Sequence, residues 1–155
     1  MADDVQITGT NDDPLEKIRS IASAHEFISD LEIAFSYPTS THETAHLQAT
    51  MPYHDQYANP TSSGVLHGGI SATVLDSVMG FSLIIALADD ERSIGPTMSL
   101  TVNYLEPVRE PIVATATVLS TASRSATIEG EIYGQESGDR LATAQGVWRV
   151  FGGDE

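Results

Sequence analysis

Hydrophobic positions recur along this chain at two spacings, and the switches between them divide it into elements. Leu15, Ile18, Ala22 and Ile28 recur at helical intervals. Asp13-Pro14-Leu15-Glu16 opens that run with an acidic N-cap, a proline at the first helical position and a carboxylate where a capping box has one. A short amphipathic helix is therefore predicted over 14–28, behind a flexible N-terminus at 1–12. From Leu31 the pattern alternates: Leu31, Ile33 and Phe35 share one face, and beyond Pro38 so do Ala45, Leu47, Ala49 and Met51, which predicts two strands. Residues 52–66 are rich in Pro, Asn, Ser, Gly and Tyr and read as a loop long enough to carry function.

The longest helix signal covers 68–88. Ile70, Val74, Leu75, Val78, Met79, Phe81, Leu83, Ile84 and Leu87 wrap most of its circumference, which predicts burial on nearly all sides. Asp76 and several Ser, Thr and Gly interrupt the run, so a buried helix is expected rather than a membrane span. After Gly95 alternation returns in four segments, marked by Met98 to Tyr104, Ile112 to Val118, Ala126 to Ile132 and Ala142 to Val150, with turns at 107–111, 121–124 and 135–140. The expected fold class is α+β: one domain over 1–155, in which a curved antiparallel sheet ending in a four-stranded meander wraps a central helix.

Charge narrows the partners. Seven Lys and Arg stand against 22 Asp and Glu, for a formal net charge of −15 over 155 residues. Phosphate binding needs the opposite sign, so nucleic acid is excluded as a partner. The acidic residues occur in every region and Lys17 is the only lysine. That pattern resembles the proteins of halophilic microbes, because at molar salt the Debye length is about 3 Å and self-repulsion is screened. The absence of cysteine removes disulfides, thiolate metal sites and a cysteine nucleophile. Met1-Ala2-Asp3-Asp4 lacks the basic start of a signal peptide, and a cytoplasmic location is expected.

The candidate chemistry gathers around the central helix. Two glycines at its start, Gly68 and Gly69, let backbone approach a ligand closely. The free N–H groups of its first turn, aided by the helix dipole, can polarise a carbonyl and hold its oxyanion, Gly68 being the expected donor. Asp76 would supply a carboxylate that activates water or attacks the carbonyl itself. His67 and Asp76 are nine positions apart, about 13 Å along one helix, too far to act on one carbonyl. Either they do not form one site, or the two halves come from different subunits.

Gly64-Val65-Leu66-His67-Gly68-Gly69-Ile70, then Asp76-Ser77, then Thr97 on a segment ending Asn103-Tyr104-Leu105-Glu106-Pro107, resembles the phenylacetate-pathway branch of the hotdog-fold thioesterases over about residues 30–152. The resemblance implies hydrolysis of an acyl-CoA thioester without cofactor or metal, at sites shared across a two-fold homodimer or a dimer of such dimers. It gives Asp76 the carboxylate role, Gly68 the oxyanion N–H, His67 an orienting role and Thr97 a place beside the reacting water. That branch carries an Asn six residues before the histidine, where this chain has Thr61. A two-residue insertion near Ser62-Ser63 would make Asn59 its counterpart. The substrate side would comprise Gly69, Ser77 and Phe81, with Met79, Tyr53 and Tyr57 as further pocket candidates, and Arg124, Arg109 or Arg140 for the CoA phosphates.

A competing signal is His42-Glu43-Thr44-Ala45-His46, which matches a zinc-protease pattern that requires a helix. Its threonine-rich surroundings favour a strand, where the imidazoles would stand about 13 Å apart as two solvent-facing side chains. The alternatives to hydrolysis are a hotdog enoyl-CoA hydratase or dehydratase and a non-catalytic acyl-CoA binding module, since a fold does not fix a function.

Overall fold

A computed structural model describes residues 13–61 and 63–152. The expectation of a flexible N-terminus at 1–12 lies outside the described residues. Helix α1 (Pro14–Ala24) starts as predicted, with Asp13 Oδ1 accepting the Leu15 N–H at 3.0 Å and Pro14 in the first turn. Glu16 does not close a capping box; it pairs with Arg19 at 2.8 Å.

The predicted helix over 14–28 is in fact two. His25 takes an extended backbone (φ −90°, ψ 108°) between α1 and α2 (Glu26–Asp30). Leu31 and Ile33 are not strand residues either. Glu32 sits in the left-handed region (φ 56°), and the Glu32 and Ile33 N–H groups bond back to the Ser29 and Ile28 carbonyls. This helix stop delays the first strand to β1 (Ala34–Ser36). Ala45 likewise precedes β2 (Leu47–Met51).

After a loop comes α3 (Gly68–Ala86), close to the predicted span. It is followed by β3 (Ser93–Tyr104), β4 (Ile112–Thr121), β5 (Ser125–Gly134) and β6 (Arg140–Phe151). These join one antiparallel sheet in the order β1-β2-β4-β5-β6-β3. The expected four-stranded meander is corrected to three strands. β3 pairs with β6 at the far edge, because the chain crosses the sheet through α3 before β3 forms. Alternation reports which face a residue takes and carries no information about which strand lies beside it.

The core lies between α3 and the concave face of the sheet. Val74, Leu75, Val78, Met79 and Leu83 are buried against Leu47, Ala49, Met51, Ala114, Ala116, Ile128 and Ile132. Small residues on β2 and β4 bring the helix close to the sheet. At Gly130 the approach is tightest: a Cβ there would lie 2.6 Å from Met79 Sδ and 3.1 Å from Leu75 Cδ2. α1 packs Leu15, Ile18 and Ala22 into the same core. Burial of α3 on nearly all sides is not observed. Ile70, Thr73, Asp76, Gly80 and Ile84 form a half-buried stripe, because one sheet covers one side of a helix.

Candidate active site

His67 is the N-cap of α3, and its Nδ1 accepts the Gly69 N–H at 2.9 Å. The imidazole therefore carries its ring proton on Nε2 and serves the helix start. The next N–H, that of Gly68, has no acceptor among the described residues, as the first turn of a helix dictates. Tyr104 braces this turn from β3: its hydroxyl donates to the Gly68 carbonyl at 2.6 Å, and its ring would lie 3.2 Å from a Cβ at Gly68. Gly68 thus presents a bare donor beside an aromatic ring, a space a side chain would occupy.

Asp76 lies two turns further along α3, half-buried on the stripe that the sheet leaves open. Thr97 Oγ1 donates to Asp76 Oδ1 at 2.7 Å. This bond fixes one carboxylate oxygen and leaves Oδ2 to engage a water or a carbonyl carbon. Replacing the hydroxyl by a methyl group in Thr97→Val removes a charge-assisted bond and keeps the shape. Turnover is expected to fall about tenfold to a hundredfold with the thermal midpoint little changed, measured by steady-state kinetics beside a melting curve.

Asp76 and Thr97 open onto a cleft of about 350 Å³. From α3 it is lined by Asp76, Ser77, Gly80, Phe81 and Ile84. The facing strands contribute Ile94, Gly95, Pro96, Thr97 and Trp148. The α1–α2 segment closes another side with Ile21, His25, Phe27 and Ile28. Its wall is largely apolar, with the carboxylate among its few charged groups, the usual composition of a small-molecule site. Gly80 is what lets the Trp148 indole lie on the helix, since a Cβ there would be 3.0 Å from its ring nitrogen.

Of the residues singled out from sequence, Asp76, Ser77, Phe81 and Thr97 meet in this cleft. The Ser77 hydroxyl is turned inward to the Thr73 carbonyl (2.8 Å), while Phe81 meets Phe35 edge to face at 5.2 Å. His67, Gly68 and Gly69 stand at the other end of α3, outside the cleft. Met79 is core beneath Gly130. Tyr53 and Tyr57 also lie outside the cleft: the Tyr53 hydroxyl donates to the Gly64 carbonyl (2.5 Å), and Tyr57 neighbours the buried His54. Arg124 belongs to the β4–β5 turn and does not line the cleft. Arg109 Nε donates to the Ser63 carbonyl, and Arg140 stands 3.6 Å from Glu131.

Asn59 occupies a defined position. Ala58 and Leu66 form an antiparallel bridge, flanked by Asn59 N–H to the Val65 carbonyl (2.7 Å) and His67 N–H to the Tyr57 carbonyl (2.8 Å). Asn59 is therefore held beside the segment that delivers His67, whereas Thr61 is exposed in the turn at the tip.

The zinc-type motif does not form a helix. His42 ends a short 3₁₀ turn and lies against the Tyr133 ring (4.7 Å), while His46 Nδ1 accepts the Val118 N–H at 3.1 Å. Both are half-buried rather than solvent-facing, because the 3₁₀ turn folds the segment back over the outer face of the sheet. Tyr104, Trp148, His25 and Phe27 were not anticipated from sequence. Tyr104 was legible as an alternating strand residue and as part of the segment that ends at Pro107, with no role assigned to it, and the other three required the tertiary arrangement.

The thioesterase superfamily model matches residues 63–140, which contain the α3 start, Asp76 and Thr97. This chain belongs to that superfamily. A candidate esterase of Halobacterium salinarum is similar over 149 residues at 28% identity, covering 92% of this chain and 96% of the relative. Among solved structures, a thioesterase family protein of Silicibacter pomeroyi superposes with a TM-score of 0.75 at 22% identity, covering 89% of this chain and 98% of that one. The Haemophilus influenzae thioesterase HI1161 does so with 0.74 at 22% identity, covering 88% and 90%. These likenesses establish the hotdog fold, and superfamily membership supports thioester hydrolysis as the general activity.

Proposed function

We propose that the protein is a cytoplasmic acyl-CoA thioesterase, related to the phenylacetate-pathway branch, whose site is completed by a second copy of the chain. The observation that carries this reading is the pairing of Asp76 with Thr97 at the mouth of an apolar cleft, on the same helix whose N-terminus offers the unused Gly68 N–H. The acyl group occupies the cleft beside Phe81 and Ser77. Gly68 of one copy polarises the thioester carbonyl, with Gly69 and the His67 cap holding that turn in shape. Asp76 of the other copy delivers water or attacks the carbonyl carbon, and Asn59, held beside the His67 segment, is the candidate amide for the carbonyl or the water. On the water route the thioester C–S bond breaks after water adds to the carbonyl carbon, and the thiolate leaves with the proton taken from that water. On the direct route the C–S bond breaks as Asp76 forms an acyl anhydride, which a water then hydrolyses to free the acid and Asp76 and to supply the thiol proton. CoA phosphates would meet arginines at strand ends, Arg124 among them, in a chain that has few other cations.

Two features favour the second copy. Gly68 and Asp76 are separated by about 12 Å of continuous helix and cannot reach one carbonyl within a chain. In addition, β3 is a sheet edge of 12 residues with no charged side chain, and it exposes Met98 (59%) and Tyr104 (53%). Edges that stay unpaired are normally short, bulged or charged. β3 shifts register around Thr97 and carries Pro96, but its half from Ser99 to Tyr104 pairs without a break and bears no charge, and that half suits a two-fold partner strand.

The test is thiol release from a panel of acyl-CoA thioesters in molar KCl, the condition suited to so acidic a surface. Release of free CoA with turnover is expected. Acyl-CoA binding without release would favour a binding module, and hydration of an enoyl-CoA would favour a hydratase.

A further inference from the structure

The interruption at His25 has a geometric effect on the cleft. On an unbroken helix Phe27 would project about 240° around the axis from Ile21, while His25 and Ile28 would stay within about 40° of it. Phe27 would then point away from the surface that Ile21 and Ile28 form. With the break, all four residues line the cleft. Ile28 is buried (4%) and anchors the segment, whereas Phe27 is 53% exposed and its ring meets the His25 ring edge to face at 6.0 Å. A large aromatic ring half in water, on the wall of a largely apolar cleft, has apolar surface for a ligand to cover. The cleft follows α3 from Asp76 to Ile84, about 12 Å. The α1–α2 wall lies outside residues 63–140, the segment that matches the superfamily.

We infer that Phe27, brought onto the cleft by the helix break, is a specificity-determining residue that limits the length of the acyl group, so that the preferred substrates carry apolar acyl groups of medium size. This rests on the reading of the cleft as the acyl site. Each methylene that the cleft can enclose is worth about fourfold in affinity, so a side chain that closes one wall sets a sharp upper limit.

Binding of non-hydrolysable butyl, octyl and dodecyl thioether analogues of acyl-CoA, followed by calorimetry, reads the wall without requiring turnover. Phe27→Ala should raise affinity for the dodecyl analogue relative to the butyl one by about tenfold or more, which corresponds to two enclosed methylenes. Phe27→Trp should shift the preference the other way. Leu119→Ala, which trims an equally exposed residue away from the cleft, should keep the wild-type profile. Unchanged chain-length profiles in both Phe27 variants would overturn the inference, as would wild-type binding that ignores chain length. Thiol release is scored separately. A protein that binds with the predicted preference yet releases no thiol would overturn the hydrolase reading and leave Phe27's role standing.

Discussion

Asp76→Asn is expected to lower turnover about a thousandfold while leaving the fold and its assembly intact. The amide has the shape of the carboxylate, and its Oδ1 can still accept the Thr97 hydroxyl at the observed 2.7 Å. What it loses is the ability to take a proton from water or to attack a carbonyl, and removal of a general base or nucleophile costs about 10²–10⁴ in rate. Asp76 is half-buried and makes no ion pair among the described residues, so neutralising it leaves no orphaned cation behind. Initial rates of thiol release beside the thermal midpoint check both halves of the prediction. Activity within a few fold of wild type would remove Asp76 from the chemistry.

Gly68→Pro should lower turnover about a hundredfold or more by deleting a single N–H. Position 68 is the first residue of α3, where proline is favoured, and the preceding His67 backbone (φ −55°, ψ 129°) already has the extended form that a following proline requires. No intrachain bond is broken, since the Gly68 N–H has no acceptor among the described residues. The Cβ of the new residue asks the Tyr104 side chain to shift by a few tenths of an ångström from its 3.2 Å approach. Loss of one oxyanion donor is worth about 10²–10³ in rate. Gly68→Ala adds the same Cβ and keeps the N–H, so it should retain most of the activity and separates the donor from the crowding.

Much of the scaffold was legible because its periodicities are long and uninterrupted. α3, β4, β5 and β6 fall where alternation and helical spacing put them, with Ala114, Ala116, Ile128, Ile132, Ala142 and Ala144 facing inward. The failures share a cause: they depend on contacts distant in sequence. The stop at Glu32 uses a non-glycine residue in the left-handed region, which composition does not announce. The edge position of β3 follows from the crossing of α3, and the half-open stripe on α3 from the sheet covering only one side. Within the site, the motif residues were readable as chemistry, and Thr97 found its partner in Asp76. The cleft walls at Trp148 and Phe27 were not readable, because a β6 core residue and a residue after a helix break carry no local mark of a ligand. Asn59 shows an intermediate case. Its backbone pairing across from Val65 holds it beside the His67 segment, a contact that spacing along the chain does not announce.

The central claim is that one active site takes Gly68 from one copy of the chain and Asp76 from another, and mixing the two inactive variants tests it. Asp76→Asn and Gly68→Pro subunits, denatured together in equal amounts and refolded in molar KCl, should form mixed dimers as about half of the population. Each mixed dimer has one site with both groups intact and one with neither, so about a quarter of wild-type thiol release should return. Activity that stays at the level of the two variants, although mixed dimers are demonstrably present, would contradict the shared site.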